Sequence, residues 1–187
     1  MQIGFFSWRP KRHLGFTLLE VLTVIAILAV LLGFALPSFH GVIERFKVRR
    51  TVEDLTATLY YVRSEAIRRG GSMTLAKVEP PGCAQAGPDG NWGCGWVVFI
   101  DTNINGTLDT NKEMLKASSI PTSVGVQQLG DKASLTADRW GQFNASGVDG
   151  FVLHSLSDPA QTFSTALCMA ASGRMATFPE LQCPSVL

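Results

Sequence analysis

No charged residue lies between Val21 and Phe39, no Cys-x-x-Cys pair occurs anywhere, and histidine appears only three times. Each scarcity narrows what the chain can do. Without paired spacing, Cys83, Cys94, Cys168 and Cys183 do not form a thiolate zinc site or a thioredoxin-like redox motif. With His13 close to the start of the chain, His40 and His154 are left for general acid–base work. His154 sits in an apolar run and reads as a core or cross-strand residue. No nucleophile–base pair, phosphate-cradling loop or cluster of metal ligands stands out, so neither catalysis nor a cofactor is expected. The formal charge of +1 gives no general pull on nucleic acid.

What is present is concentrated at the N-terminus. Residues 1–15 are basic, with Arg9, Lys11, Arg12 and His13 followed by Leu14 and Gly15. An apolar run starts at once with Phe16 and continues to about Leu36. As a helix, about 21 residues measure roughly 32 Å, close to the hydrocarbon thickness of a bilayer. A secretory signal would place small residues and a cut after such a run, but Phe39-His40-Gly41-Val42 is a poor site of that kind. One carboxylate interrupts the run. Glu20 lies one turn in, and an ionised carboxylate in lipid costs about 3 kcal/mol unless it is partnered. It is either a tolerated interfacial residue or a functional one.

The segment Gly15-Phe16-Thr17-Leu18-Leu19-Glu20-Val21-Leu22 resembles the class III signal of type IV pilins and pseudopilins. The resemblance implies cleavage between Gly15 and Phe16 by a prepilin peptidase, then methylation of the Phe16 amine. It also implies that Glu20 pairs with the N-terminal amine of a neighbouring pilin, which suits two opposite charges in a low dielectric. Such head-to-tail contacts do not close and so build a filament. Loss of the leader removes Arg9, Lys11 and Arg12, after which the 15 acidic residues outnumber the basic ones. Pro37 stands where these helices often bend, since proline removes a helix hydrogen bond. The positive-inside comparison is even, because Arg45, Lys47, Arg49 and Arg50 follow the span. An N-terminus inside, with a single pass of the inner membrane and the head in the periplasm, is therefore expected from the leader and the cysteines.

Beyond Pro37 the helical pattern resumes. Val52, Leu55, Leu59, Val62 and Ala66 recur at three- and four-residue spacing, opposite Glu53, Asp54, Arg63, Arg68 and Arg69, until Gly70-Gly71 stops the helix. An unbroken helix from Phe16 to Arg69 would run roughly 80 Å. The cations at 45–50 are either a solvated face near lipid headgroups or pairs for acids such as Glu53 and Asp54 on another subunit. From Ser72 the texture changes to short apolar runs broken by Gly, Pro, Asn and Asp. Candidate strands are 73–78, 95–100, 114–120, 124–128, 151–156, 165–171 and 174–178, with Trp92, Trp96, Phe99 and Trp140 as expected core. The expected fold is α+β, a long helix on a small antiparallel sheet that it covers on one face. Its parts are a leader (1–15), a transmembrane half-helix (16–38), an amphipathic half-helix (39–70) and a β-rich head (71–187). An even cysteine count in an exported domain indicates two disulfides. Of the three pairings that four cysteines allow, Cys83–Cys94 and Cys168–Cys183 are favoured, because each closes a short loop containing Gly or Pro.

Two motifs in the head need weighing. Asp101, Asn103, Asn105, Gly106 and Asp109 match the first nine positions of a calcium loop, but Lys112 stands where a bidentate Glu belongs and Glu113 comes one residue late. The plainer reading is a hairpin connection turned by Asn105-Gly106. The Gly95-Trp96 strand running into this loop, and Ser172-Gly173-Arg174 after a cysteine-bearing strand, are similar to the head of the FimT/GspH group. That resemblance implies a minor pilin or pseudopilin that joins a type IV pilus or a type II secretion pseudopilus, near its tip or in the complex that primes it. Some FimT-like pilins bind DNA through a Gly-Arg-x-Arg motif. Gly173-Arg174-Met175-Ala176 keeps only the first arginine, so Arg174 is the one DNA contact this implies, and its alternative is a plain turn residue.

Overall fold

A computed structural model describes residues 15–109, 114–144, 148–158, 160, 162–170, 172–179 and 181–184, with backbone alone at 34–38 and 148. Arg9, Lys11, Arg12 and His13 of the leader, and Lys112 and Glu113 of the loop, fall outside the described residues. One helix, α1 (Leu18–Arg69), is followed by eight strands. The chain divides into two compact units, residues 1–40 and 41–187.

Helix α1 has recognisable ends. Thr17 accepts a hydrogen bond from the Glu20 N–H on its hydroxyl at 3.2 Å, which makes it the N-cap and puts an acidic residue in the positive first turn. At the other end Gly70 (φ 83°) and Gly71 (φ 111°) turn left-handed, and the Gly71 N–H returns to the Ala66 carbonyl at 2.8 Å. That six-to-one bond satisfies a carbonyl the helix would otherwise orphan. The helix assignment continues through Pro37. Among the described residues no helix is long and apolar enough to cross a membrane. The described side chains of the apolar run end at Gly33, short of the ~20 residues that a span needs.

The second unit contains two antiparallel sheets where the sequence reading expected one. β1 (Met73–Lys77), β2 (Trp96–Ile100), β3 (Met114–Ser118) and β5 (Ser134–Ala137) form the first, in the order β3-β2-β1-β5. β4 (Val124–Gln128), β6 (Val148–Ser155), β7 (Ser164–Ala170) and β8 (Met175–Phe178) form the second, in the order β4-β6-β7-β8. The chain leaves the first sheet for β4, returns for β5, and leaves again.

The helix residues Val48, Val52, Leu55, Leu59, Val62 and Ala66 join one core with Leu75, Trp96 and Val98 of the first sheet and Val126, Phe151, Leu153 and Leu167 of the second. Each fully buried Leu or Val contributes about 1.5–3 kcal/mol, so the helix stripe is part of the head's core. Trp92 meets Phe151 edge to face at 5.1 Å. Phe99 is buried elsewhere, with Ala76 and Val97 on the other face of the first sheet. Trp140, expected in the core, is 65% exposed. It lies in a turn after β5 that Asp138 organises by accepting from the Trp140 and Gln142 N–H groups, each at 2.9 Å.

Polar contacts fasten the helix to the sheets at three levels. Glu44 is buried, accepting from the Ser155 hydroxyl at 2.9 Å and from the Lys47 ammonium at 2.7 Å. Lys116 of β3 reaches Asp54 at 3.1 Å and Thr58 at 2.6 Å. Arg63 donates to the Gly173 carbonyl, in the β7–β8 turn, at 2.9 Å. Disulfides join Cys83 to Cys94 and Cys168 to Cys183. The second ties the C-terminal segment to β7.

Candidate assembly and processing site

The N-terminal part of α1 presents an apolar surface. Phe16 is 82% exposed, and Leu18, Leu19, Leu22, Ile25 and Leu28 are exposed as well. A surface of this size without a cover marks a contact with lipid or protein. Glu20 is the carboxylate within it, exposed on the first turn beside the N-cap. A Cβ added at Gly15 would meet nothing within 4 Å, and Gly15 has no left-handed φ. Among the described residues, nothing requires glycine there.

The loop after β2 is organised by Asp101, which is fully buried. Its carboxylate accepts from the Gly106 N–H at 2.7 Å, the Thr74 hydroxyl at 3.1 Å and the Asn105 N–H at 3.3 Å. The Asn103 amide donates to Asp109 at 3.1 Å. Among the described residues, no three His, Cys, Asp or Glu side chains gather as a metal site.

His40 is exposed on α1, and His154 lies opposite Gly125 in the β4–β6 register. A Cβ at Gly125 would sit 2.6 Å from the His154 ring, so glycine makes room for the imidazole. Burial lowers the His154 pKa, and its Nδ1 makes no hydrogen bond among the described residues. A neutral, packed ring fits the cross-strand reading.

Arg174 is exposed at the β7–β8 turn, as expected of either a turn residue or a contact. The structure adds neighbours that sequence reasoning missed. Arg63 reaches this turn from the helix, and its Cγ would lie 2.6 Å from a Cβ at Gly141. The turn carrying Arg139 and Trp140 therefore borders it too, with the Arg139 guanidinium 4.7 Å above the Trp140 ring. The available signal was the exposed Arg63 face of the helix pattern, but its meeting with residue 173 is a long-range contact that no local spacing records.

Comparison with known proteins agrees with this architecture. The family described as type II transport protein GspH matches residues 51–177, from mid-helix to β8. The prokaryotic N-terminal methylation motif matches residues 10–36. The pilin-like protein PilA1 of Thermus thermophilus is 34% identical over 99 residues, 53% of this chain and 55% of that protein, so the chain spans about half of that curated relative's length. Two crystal forms of the type IV minor pilin FimU of Pseudomonas aeruginosa share the fold. One gives a TM-score of 0.54 with 74% of this chain and 98% of that one covered. The other gives 0.57 with 76% and 96% covered. Both are 18% identical to this chain.

Proposed function

The chain belongs to the type II transport protein GspH family, and on that premise we propose that it is cut after Gly15, held in the inner membrane by α1, and then drawn into a filament. It is a minor pilin or pseudopilin, a structural subunit of a type IV pilus or a type II secretion system. The observation that carries the finer reading is the division of labour along α1. The stripe from Val48 to Ala66 is consumed by the head's core, whereas the apolar residues from Phe16 to Leu32 are exposed. Lipid supplies their cover first, and the helices of other pilins supply it after assembly.

Glu20 is the registering group in this scheme. A carboxylate moving into a low dielectric needs a counter-charge, and the methylated amine of Phe16 on an adjacent subunit provides one. A place near the tip, or in the complex that primes assembly, fits a subunit needed in few copies. The polypeptide is a substrate of the prepilin peptidase and methyltransferase, with no catalytic role of its own. The test is intact mass and N-terminal sequence of the protein from native membranes, with and without prepilin peptidase. A chain starting at N-methylated Phe16 is expected. An uncut chain, or one cut after the apolar run, overturns the pathway. Glu20→Ala should be processed normally yet fail to enter filaments.

A second reading, DNA capture, has one observation in its favour. Arg63 meets both the turn that precedes exposed Arg174 and the turn that carries Arg139 over an exposed Trp140, which offers an aromatic face for a base. Three cations predict weak, strongly salt-dependent binding. A mobility shift at low salt that Arg174→Ala and Trp140→Ala both weaken supports this reading, and no shift at low salt refutes it.

A further inference from the structure

A small cleft opens where α1 enters the head, bordered by Arg45, Arg49, Thr162, Phe163, Ser164 and Thr165. Its volume is about 180 Å³, below the roughly 300 Å³ at which pockets begin to hold organic ligands of drug size. A single small group is the right scale.

The cleft is built around a fixed cation. The Arg45 guanidinium lies 4.4 Å from the centre of the Phe163 ring. Phe163 is backed by Gly41, where a Cβ would fall 3.6 Å from the ring's Cζ. The ring face attracts the exposed guanidinium, whose N–H donors suit a planar or tetrahedral oxyanion. Arg45 takes part in no ion pair among the described residues, unlike Lys47 and Arg49. Lys47 is held by Glu44 at 2.7 Å, and Arg49 is paired with Glu53 at 3.1 Å.

Arg49 stands one turn on, and its exposed pair with Glu53 is of the weak kind that a stronger anion displaces. Thr165, on the β7 face that carries Leu167 into the core beneath α1, adds a hydroxyl. The nearby carboxylate, Asp158, is already engaged by the Ala160 N–H and by the Thr162 hydroxyl. Its charge is thereby tied to the loop, and Thr162 is oriented away from donating into the cleft.

We infer that this cleft is a binding site for a phosphate group, gripped by Arg45 with Arg49 and the Thr165 hydroxyl. Charge-assisted bonds from guanidinium to phosphate are short and strong, and arginine's fork suits them. In sequence Arg45 follows the end of the apolar run by fewer than three helical turns. A phosphodiester headgroup of an anionic lipid would therefore lie within reach, and that source of the phosphate rests on the membrane anchoring proposed above. Free phosphate is the other source.

The experiment uses the full chain and follows amide hydrogen exchange over residues 160–166. It compares nanodiscs of phosphatidylcholine, nanodiscs containing phosphatidylglycerol, and the detergent-solubilised chain with and without inorganic phosphate. Several-fold slower exchange in phosphatidylglycerol, or with added phosphate, is expected, and which of the two acts identifies the source. Arg45→Gln should abolish the effect. Thr165→Val, which leaves the Arg45–Phe163 contact intact, should reduce it and guards against a folding defect. No slowing in either arm overturns the site, as does slowing that Arg45→Gln leaves unchanged. Failure of the chain to enter nanodiscs at all would count against membrane anchoring, while the phosphate arm would still decide the site.

Discussion

Glu44 offers a direct test of how the helix is fastened to the head. Its carboxylate is buried and accepts from the buried Ser155 hydroxyl and from Lys47. Glu44→Ala leaves the Ser155 hydroxyl without its acceptor, at a cost of about 1–3 kcal/mol. Lys47 loses its counter-charge, but its side chain is 35% exposed. Water recovers most of that loss, and the added cost stays below about 1 kcal/mol. The expected total is about 2–3 kcal/mol for Glu44→Ala and about 1 kcal/mol for Glu44→Gln, which keeps an acceptor for Ser155. Residues 41–187 form one compact unit, so urea unfolding of that fragment, followed by the fluorescence of buried Trp92 and Trp96, reads the difference.

The contribution of Glu44 also carries a pH signature. The bond from Lys47, with a smaller one from Ser155, holds the Glu44 carboxyl below its ordinary value of 4.5 against the opposing effect of burial. A depressed carboxyl stabilises the fold fully above its unfolded pKa, and that stabilisation is lost as pH falls through the folded value. The gap between wild type and Glu44→Gln should therefore be constant near neutrality and shrink below about pH 4.5. A loss under about 0.5 kcal/mol for Glu44→Ala, the range of featureless surface changes, would refute the fastening argument. So would a gap that does not close in acid.

Three further outcomes follow from the same geometry. Cys168→Ser with Cys183→Ser opens a loop with a sequence separation of 15 and should cost about 3 kcal/mol in chemical denaturation. Gly15→Ala should leave the melting temperature unchanged, because nothing crowds that position, while peptidase cleavage, read by gel shift, is lost. Calcium followed by chelator should not move the melting temperature of the head. A calcium-dependent rise would show that the donors around Asp101 give way to a cation.

Much of this molecule is legible in local pattern. The three- and four-residue recurrence from Val52 to Ala66 is the stripe that enters the core, and Gly70-Gly71 is where the helix caps. Strand β4 spans Val124–Gln128 as its alternation implies. Strand β5 is invisible in sequence because Ser134–Ala137 offers one large apolar residue, Leu135, in four. It becomes a strand by pairing with β1. The division into two sheets is equally nonlocal, since alternation says which residues face inward but not which strands share an edge. Trp140 misleads because size and hydrophobicity argue for burial, whereas the Asp138 turn projects it outward. The turn before Arg174 is held by Arg63, which is 110 residues from its partner Gly173 in sequence, and tertiary packing alone brings them together.

The spread of fastenings along α1 has a mechanical meaning. Glu44, Asp54 and Arg63 grip the sheets at successive levels, and the apolar stripe runs between them. A pull along the helix axis loads these contacts side by side, as in a sheared joint, and none can fail first without the others resisting. Within residues 41–187 the helix is thus held against shear along its axis and not only against peeling from the sheets.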